Sequence, residues 1–443
     1  MATGKSGGLN NGYPWLSAVP SAWKARKTSS MCYIHGRIGF KGYSRQDLVS
    51  NETPGAAVVF GGTNIEKNGT LDYEVLSFLS PQKYLESPEI ALNGGEILMT
   101  KVGAGVGDCA IYDGRFERAT INPNVLIIEP KSPDISADFL RYRLISSDAQ
   151  LEIRRESTKA GAQPAINQAY VKRLRVSIPV LAEQQFIVEF LNRKTAEIDS
   201  LIEKLSLQVE LLEQYRRELI ARTVTRGLDP DVPMRDSGIS WIGEIPSAWS
   251  EDSLKSMLRR VSTKNKPERR VLSVERVNGV VDRETEGSPD NHNRLPDDLS
   301  GYLAVDRGQF AMNKMKAWRG SYGVSRLDGI VSPAYYVFEL NYPNPEFFNW
   351  AIRSDAYVPF FGRDSYGIRT DQWDFKMSAL RSIPFFSPPI DEQNEIVAYL
   401  ERETKAIDSS VEGINRQIEL LSKYRKQVIN DAVTGKVRVG EVA

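Results

Sequence analysis

Few residues in this chain could do covalent chemistry, and their spacing argues against it. Gly103-Ala104-Gly105-Val106-Gly107-Asp108 is glycine-rich but lacks the Gly-x-Gly-x-x-Gly spacing of a dinucleotide cradle. The CAIYDG that follows reads as a strand and turn, where a cradle needs a helix. Gly4-Lys5-Ser6 echoes the end of a phosphate loop without its upstream glycine or strand. No Asn-Pro-Pro-Tyr or Asp-Pro-Pro-Tyr tetrapeptide occurs, and acid-x-Lys triplets such as Asp374-Phe375-Lys376 arise readily by chance. With His35 and His292, Cys32 and Cys109 as the whole complement of their types, neither a zinc site nor a disulfide framework is expected. No catalytic residue, metal ligand or resident cofactor is assigned to the chain.

Binding chemistry is better supplied. Arg, Lys, Asn, Gln, Ser and Thr read base edges, and Lys and Arg hold phosphates. In the first half such residues sit on loops between expected strands: Lys101 ahead of the glycine loop; Thr120, Asn122 and Asn124 before NVLIIEP; and Lys159, Gln163 and Asn167 in KAGAQPAINQ, a stretch that an ordinary surface loop would also fit. In the second half NKMKAWRGSYG (313–323) interleaves Lys314, Lys316 and Arg319 with Trp318 and Tyr322, although Trp318 would serve equally in a core. Ser332 stands where Asn122 stands, and SYGIRTDQW (365–373) adds Tyr366, Arg369, Thr370 and Gln372. Arg259, Arg260, Lys264 and Lys266 fall in RRVSTKNKPERR, six basic residues against one acidic, and are phosphate candidates, though a solvated loop looks the same. The zero formal net charge does not exclude nucleic acid, because an electrostatic footprint needs only one basic face.

These loops must be held by something, and the chain writes its scaffold twice. WLSAVPSAW (15–23) returns as WIGEIPSAW (241–249). Glu183–Thr225 aligns with Glu392–Thr434 without a gap, at a constant offset of 209, with 20 identities in 43 pairs. Both segments read as long helices, each roughly 64 Å if uninterrupted. Leu191, Ile198, Leu205, Leu212 and Leu219 recur every seven residues, as do Leu400, Ile407, Ile414, Leu421 and Val428. A second seam runs beside each, which is the spacing of a coiled coil, and the order globular–helix–globular–helix favours an antiparallel pair with approximate twofold symmetry. Apolar runs such as AAVVF (56–60), GEILMT (95–100), GQFAMN (308–313) and AYYVFEL (334–340) are expected strands of mixed α/β domains. Residues 136–155 and 344–361 are expected helices, the second broken near Pro359. The expected organisation is a domain over 13–181, a helix over 182–227, a linker over 228–240, a second domain over 241–388 and a second helix over 389–437. The fold class is mixed α+β, with a pseudo-twofold internal repeat. The 41% apolar and 26% charged composition is that of a soluble protein, and the first residues lack the apolar core of a signal peptide, so a cytoplasmic location without membrane contact is expected.

In the order and duplication of these motifs the chain resembles the specificity subunits of type I restriction–modification systems. The openings Val19-Pro20-Ser21-Ala22-Trp23 and Ile245-Pro246-Ser247-Ala248-Trp249, and the helix starts Ala182-Glu183-Gln184-Gln185 and Asp391-Glu392-Gln393-Asn394, carry the resemblance. So do the helix ends Thr223-Val224-Thr225-Arg226-Gly227 and Ala432-Val433-Thr434-Gly435-Lys436. It implies a non-catalytic, DNA-binding chain in which each domain reads one half of a split, asymmetric double-stranded target. The helices would set the gap and dock two methyltransferase subunits, with restriction subunits joining the larger complex and S-adenosylmethionine and ATP binding those partners. It also implies that the glycine loop of the first domain lies close to DNA. The competing reading is a coiled-coil interaction scaffold with no DNA role.

Overall fold

A computed structural model describes residues 19–37, 43–157, 163–283, 295–367 and 373–439. The chain divides into two compact units, residues 1–205 with 416–443 and residues 206–415. The long helices Leu181–Arg226 and Ile390–Val433 are continuous, and each contributes one half to either unit. The cuts between the two units fall mid-helix.

Each unit is built on a four-stranded antiparallel sheet of the same connectivity. In unit 1 the order is Cys32–His35, Val125–Pro130, Ile97–Thr100, Cys109–Ile111. In unit 2 it is Leu258–Val261, Tyr335–Leu340, Phe310–Asn313, Tyr322–Val324. The central strand ILMT is buried at all four positions, which is why it reads as a continuous apolar run and not as an alternation. A short antiparallel pair ties the start of each domain to the stretch before its following helix: Lys24–Lys27 with Arg175–Ile178, and Ser250–Ser253 with Pro384–Ser387. The outer layers differ. Unit 1 carries a five-stranded sheet in which Ala57–Phe60 runs parallel to Ala119–Ile121, over a core of Phe60, Leu98, Tyr112 and Ile127. Unit 2 has instead two separate two-stranded sheets, Leu272–Glu275 with Gly279–Asp282 and Leu303–Val305 with Gly329–Val331.

Both helical stretches expected between sheet and long helix are broken. Residues 137–157 form Ala137–Ile145 and Ser147–Ser157, parted at Ser146, whose hydroxyl accepts from the buried Arg143 guanidinium (2.6 Å). Pro345–Arg353, capped by Asn344, and Val358–Arg363 part before Pro359, because proline at a first turn suits a new helix better than it suits a helix interior. Met234–Asp236, within the expected linker, pairs with Glu244–Pro246.

The duplicated PSAW is a junction. Trp23 Nε1 donates to Glu183 Oε1 and Trp249 Nε1 donates to Glu392 Oε2, both at 3.1 Å, so each tryptophan holds the first turn of the helix that follows its own domain. The neighbouring glutamines are buried: Gln184 Nε2 donates to Pro179 O and Asp134 O, and Gln393 Nε2 to Pro388 O. The end of the other helix closes each junction. Gly435 (φ 69°) lies so near that an added Cβ would come within 2.5 Å of the Pro20 ring and 3.2 Å of Trp23, and Gly227 (φ 73°) faces Glu392 and Trp249 in the same way.

Seam residues enter the domain cores as well as facing the other helix. Leu191 packs in a cluster with Trp23, Phe139 and Ile429, and Leu219, Leu400 and Ile407 in one with Trp249 and Phe348. Ile198 and Ile414 are also buried, whereas Leu205, Leu212, Leu421 and Val428 are half-covered. Helix-to-helix ion pairs repeat at the same offset: Arg425 grips Asp199 with two bonds (2.8 and 3.0 Å) in unit 1, and Arg216 faces Asp408 (3.2 Å) in unit 2. Among the described residues no helix is long and apolar enough to cross a membrane.

Candidate nucleic-acid interface

In unit 1 backbone bonds lace three loops together at the end of Ile97–Thr100. Lys101 N donates to Asn124 O and Ile166 N to Lys101 O (both 2.8 Å), while Gly103 N donates to Pro164 O (2.9 Å). The glycine loop closes as a hairpin through Gly107 N to Thr100 O, with Gly103 and Gly107 at φ 100° and 91°, backbone that disfavours a side chain. It leads into the strand Cys109–Ile111, so it has no helix N-terminus to offer a phosphate. Exposed Asn124 and Gln163 stand at this cluster with half-buried Lys101, whose ammonium is lowered from its ordinary range by burial. The Asp108 carboxyl beneath the loop is raised, chiefly by burial against the opposing pull of Arg154 and Lys67.

Three other expected readers of this unit do structural work. Thr120 is buried and donates to Ile90 O (3.1 Å), so it belongs to the core because its strand lies inside the sheet. Asn167 caps the helix Gln168–Arg173 by accepting from Tyr170 N (2.7 Å). Asn122 accepts from Asn124 N (2.9 Å) and shapes the turn that presents Asn124. Lys159 lies outside the described residues.

Unit 2 repeats the lacing with different side chains. Lys314 follows its strand as Lys101 does, and its carbonyl accepts from Phe375 N (3.0 Å) as that of Lys101 accepts from Ile166 N. Ser332 repeats the Asn122 turn, its carbonyl accepting from Tyr335 N (3.0 Å). The surface above this backbone is aromatic and basic. Trp318 packs on Trp373 (5.1 Å between ring centres), the Arg319 guanidinium lies over Trp318 (4.2 Å), and the Lys376 ammonium lies over exposed Tyr366 (4.7 Å). Lys316 is exposed nearby, and Lys314 approaches Asp374 (3.9 Å). Tyr322 is a correction: it is fully buried, stacked at 4.3 Å on Phe361, with its hydroxyl pushed well above its usual range by burial. Arg369, Thr370 and Gln372 lie outside the described residues. Trp373 and Lys376 were not singled out from the sequence; aligning Phe375 with Ile166 behind the two lysines would have put both at the loop cluster.

The basic run 259–270 is not one face. Arg259 and Arg260 are successive strand residues and project to opposite sides. Arg259 pairs with Glu339, Arg260 lies over the Tyr336 ring (4.9 Å), Arg269 meets Asp306 and Arg270 meets Asp282. Exposed Lys264 and Lys266 remain as phosphate candidates. Among the described residues no group of three or more His, Cys, Asp or Glu is placed to hold a metal.

Comparison with known proteins agrees with this layout. The family model described as the type I restriction modification DNA specificity domain matches residues 20–211. A protein of Methanocaldococcus jannaschii, provisionally named the type I restriction enzyme MjaX specificity subunit, is 23% identical over 96% of both chains. The MjaVIII specificity subunit of the same organism is 24% identical over 80% of this chain and 82% of its own. A chain from a solved structure, described as concerning complex assembly and conformational transition of the type I restriction–modification system, shares the fold with TM-score 0.63 at 12% identity, covering 95% of this chain and 99% of that one. In its duplicated domain-and-helix plan and in these end-to-end likenesses, the chain is similar to specificity subunits of type I restriction–modification systems.

Proposed function

We propose that this chain is the DNA-reading subunit of a type I restriction–modification complex, each domain contacting one half of a split double-stranded target. The observation that carries this is the repeated loop cluster: one backbone frame behind Lys101 and Lys314, and unlike side chains upon it. A frame kept in duplicate with readers that differ predicts two unlike half-sites, while the pseudo-twofold plan predicts that they lie in opposite orientation. The long helices set the gap between halves, with paired seams that stiffen them as a coiled coil. Linking two weak readers raises their joint affinity when the spacer matches the gap.

The chain works without a catalytic group of its own, in the cytoplasm, and S-adenosylmethionine and ATP belong to partner subunits. Two methyltransferase subunits have equivalent docking faces in the exposed pairs Leu211–Tyr215 and Leu420–Tyr424, each four residues apart on one helix face and related by the 209-residue offset. Restriction subunits join through that assembly.

The test is co-expression with a methyltransferase subunit and mapping of methylated adenines in host DNA. Two short, different half-motifs around a fixed gap support the reading, and replacing residues 241–388 by another domain then changes one half alone. Absence of methylation together with DNA binding that ignores salt contradicts it, since phosphate contacts make affinity fall steeply with salt.

A further inference from the structure

The two loop clusters share a frame and differ in chemistry. In unit 1 the exposed side chains are amides, Asn124 and Gln163, which suit hydrogen bonds to base edges. In unit 2 the corresponding surface is a platform: the Trp318–Trp373 pair, Arg319 over one indole, and Lys376 with Tyr366 beside it. Tryptophan on a loop ordinarily ends in a core. Here the core beneath is already filled by Tyr322, Phe361 and Phe375, all buried, while Trp318 and Trp373 stay half-covered. Among the described residues the indole nitrogen of Trp318 meets no hydrogen-bond acceptor, and stacking and the guanidinium hold that ring. Two cations, Arg319 and Lys376, with two half-exposed indoles and a phenol form a surface that takes flat π-faces flanked by phosphates, the chemistry of a nucleic acid.

We propose that domain 2 engages its half-site by stacking, with Trp373 contacting a base that the duplex partly unstacks and Lys376 contacting a neighbouring phosphate, whereas domain 1 engages its half by amide readout. The inference rests on the DNA-reading role above. It assigns Trp373 as a specificity-determining residue and Lys376 as a phosphate anchor beside it, and makes domain 2 the half that distorts the helix. Unstacking costs least at flexible pyrimidine–purine steps, so the half-site read by domain 2 should contain one.

The experiment uses the full chain in complex with its methyltransferase subunits and its mapped target duplex. Wild type is first required to prefer that duplex over a scrambled one; failure there overturns the DNA-reading role itself. With that preference in hand, Trp373→Ala should weaken target binding on the order of tenfold, and Trp373→Phe should restore most of it because a ring is retained. Lys376→Gln should lower the salt dependence by about one phosphate contact. Thermal melting of each variant checks the fold. The methylation motif of Trp373→Ala should relax in the domain 2 half and keep the other half intact. If Trp373→Ala and Lys376→Gln both melt and bind as wild type does, with the same salt slope and motif, the platform is a packing feature and the inference falls, leaving the DNA-reading role standing.

Discussion

Units 1 and 2 meet the same problem, holding a loop cluster at the end of a four-stranded sheet, with one frame and two sets of side chains. Lys101 and Lys314 open equivalent loops, and the carbonyl of each accepts from the return segment. Yet one surface ends in Asn124 and Gln163 and the other in Trp318, Trp373 and Lys376. Where the residues carry the frame they repeat; where they face solvent at the loop tips they do not. The Trp–Glu–Gly junctions, buried and duplicated, lie on the repeating side of that division.

The comparison can be broken most forcefully at the junctions. Trp249→Ala removes a nearly buried indole from the cluster joining domain 2 to both helix segments and should cost about 3–5 kcal/mol, with Trp23→Ala close behind; chemical denaturation reads both. Equal, small losses would mean that the junctions do not hold each domain to its helix segments.

A smaller and asymmetric effect is expected at the closing glycines. Both hold positive φ, so alanine is strained at either. The added methyl meets the rigid Pro20 ring at 2.5 Å at Gly435, whereas at Gly227 the atom that close is the movable Glu392 carboxylate tip and the Trp249 ring is at an ordinary 3.4 Å. Gly435→Ala should therefore cost about 2 kcal/mol or more and Gly227→Ala about 1. The reverse order in the same denaturation series would show that the two junctions are not built as described.

The smallest effect concerns pH. Burial, with help from Glu395 and Asp229, raises the Glu392 carboxyl above its ordinary value, against the hydrogen bond from Trp249. Ionisation is therefore disfavoured in the folded state. The stability this group contributes is full below the ordinary carboxylate range, about pH 4, and is lost as pH rises through the raised value. Glu392→Gln keeps an acceptor for Trp249 and should flatten that part of the stability profile; an unchanged profile would assign the slope elsewhere.

Much of the frame was legible in the sequence because duplication exposes it. The long helices and the strands AAVVF, GEILMT and GQFAMN are set by local apolar pattern, and the structure has them within a few residues. Side-chain fate was less legible. Thr120 and Tyr322 look like polar readers in a string of residues but are buried: Thr120 lies in an inner strand paired with Ala57–Phe60 some sixty residues earlier, and Tyr322, on an edge strand, is covered by Phe310 and by Phe361 from a later helix. Asn167 is a helix cap, a role that its position before QAYVKR hints at, and it competes with any role in binding. Trp373 and Lys376 carry no reading role in the sequence because their neighbours Trp318 and Tyr366 are 55 and 10 residues away and meet them only through the fold.

The central claim is that two differently built readers serve two half-sites, and methylation-motif mapping of paired variants tests it most directly. Complexes carrying Asn124→Ala with Gln163→Ala should relax one half of the motif alone, and those carrying Trp373→Ala with Lys376→Gln the other half alone. Relaxation of both halves by either pair, or of neither half by both pairs, would contradict it.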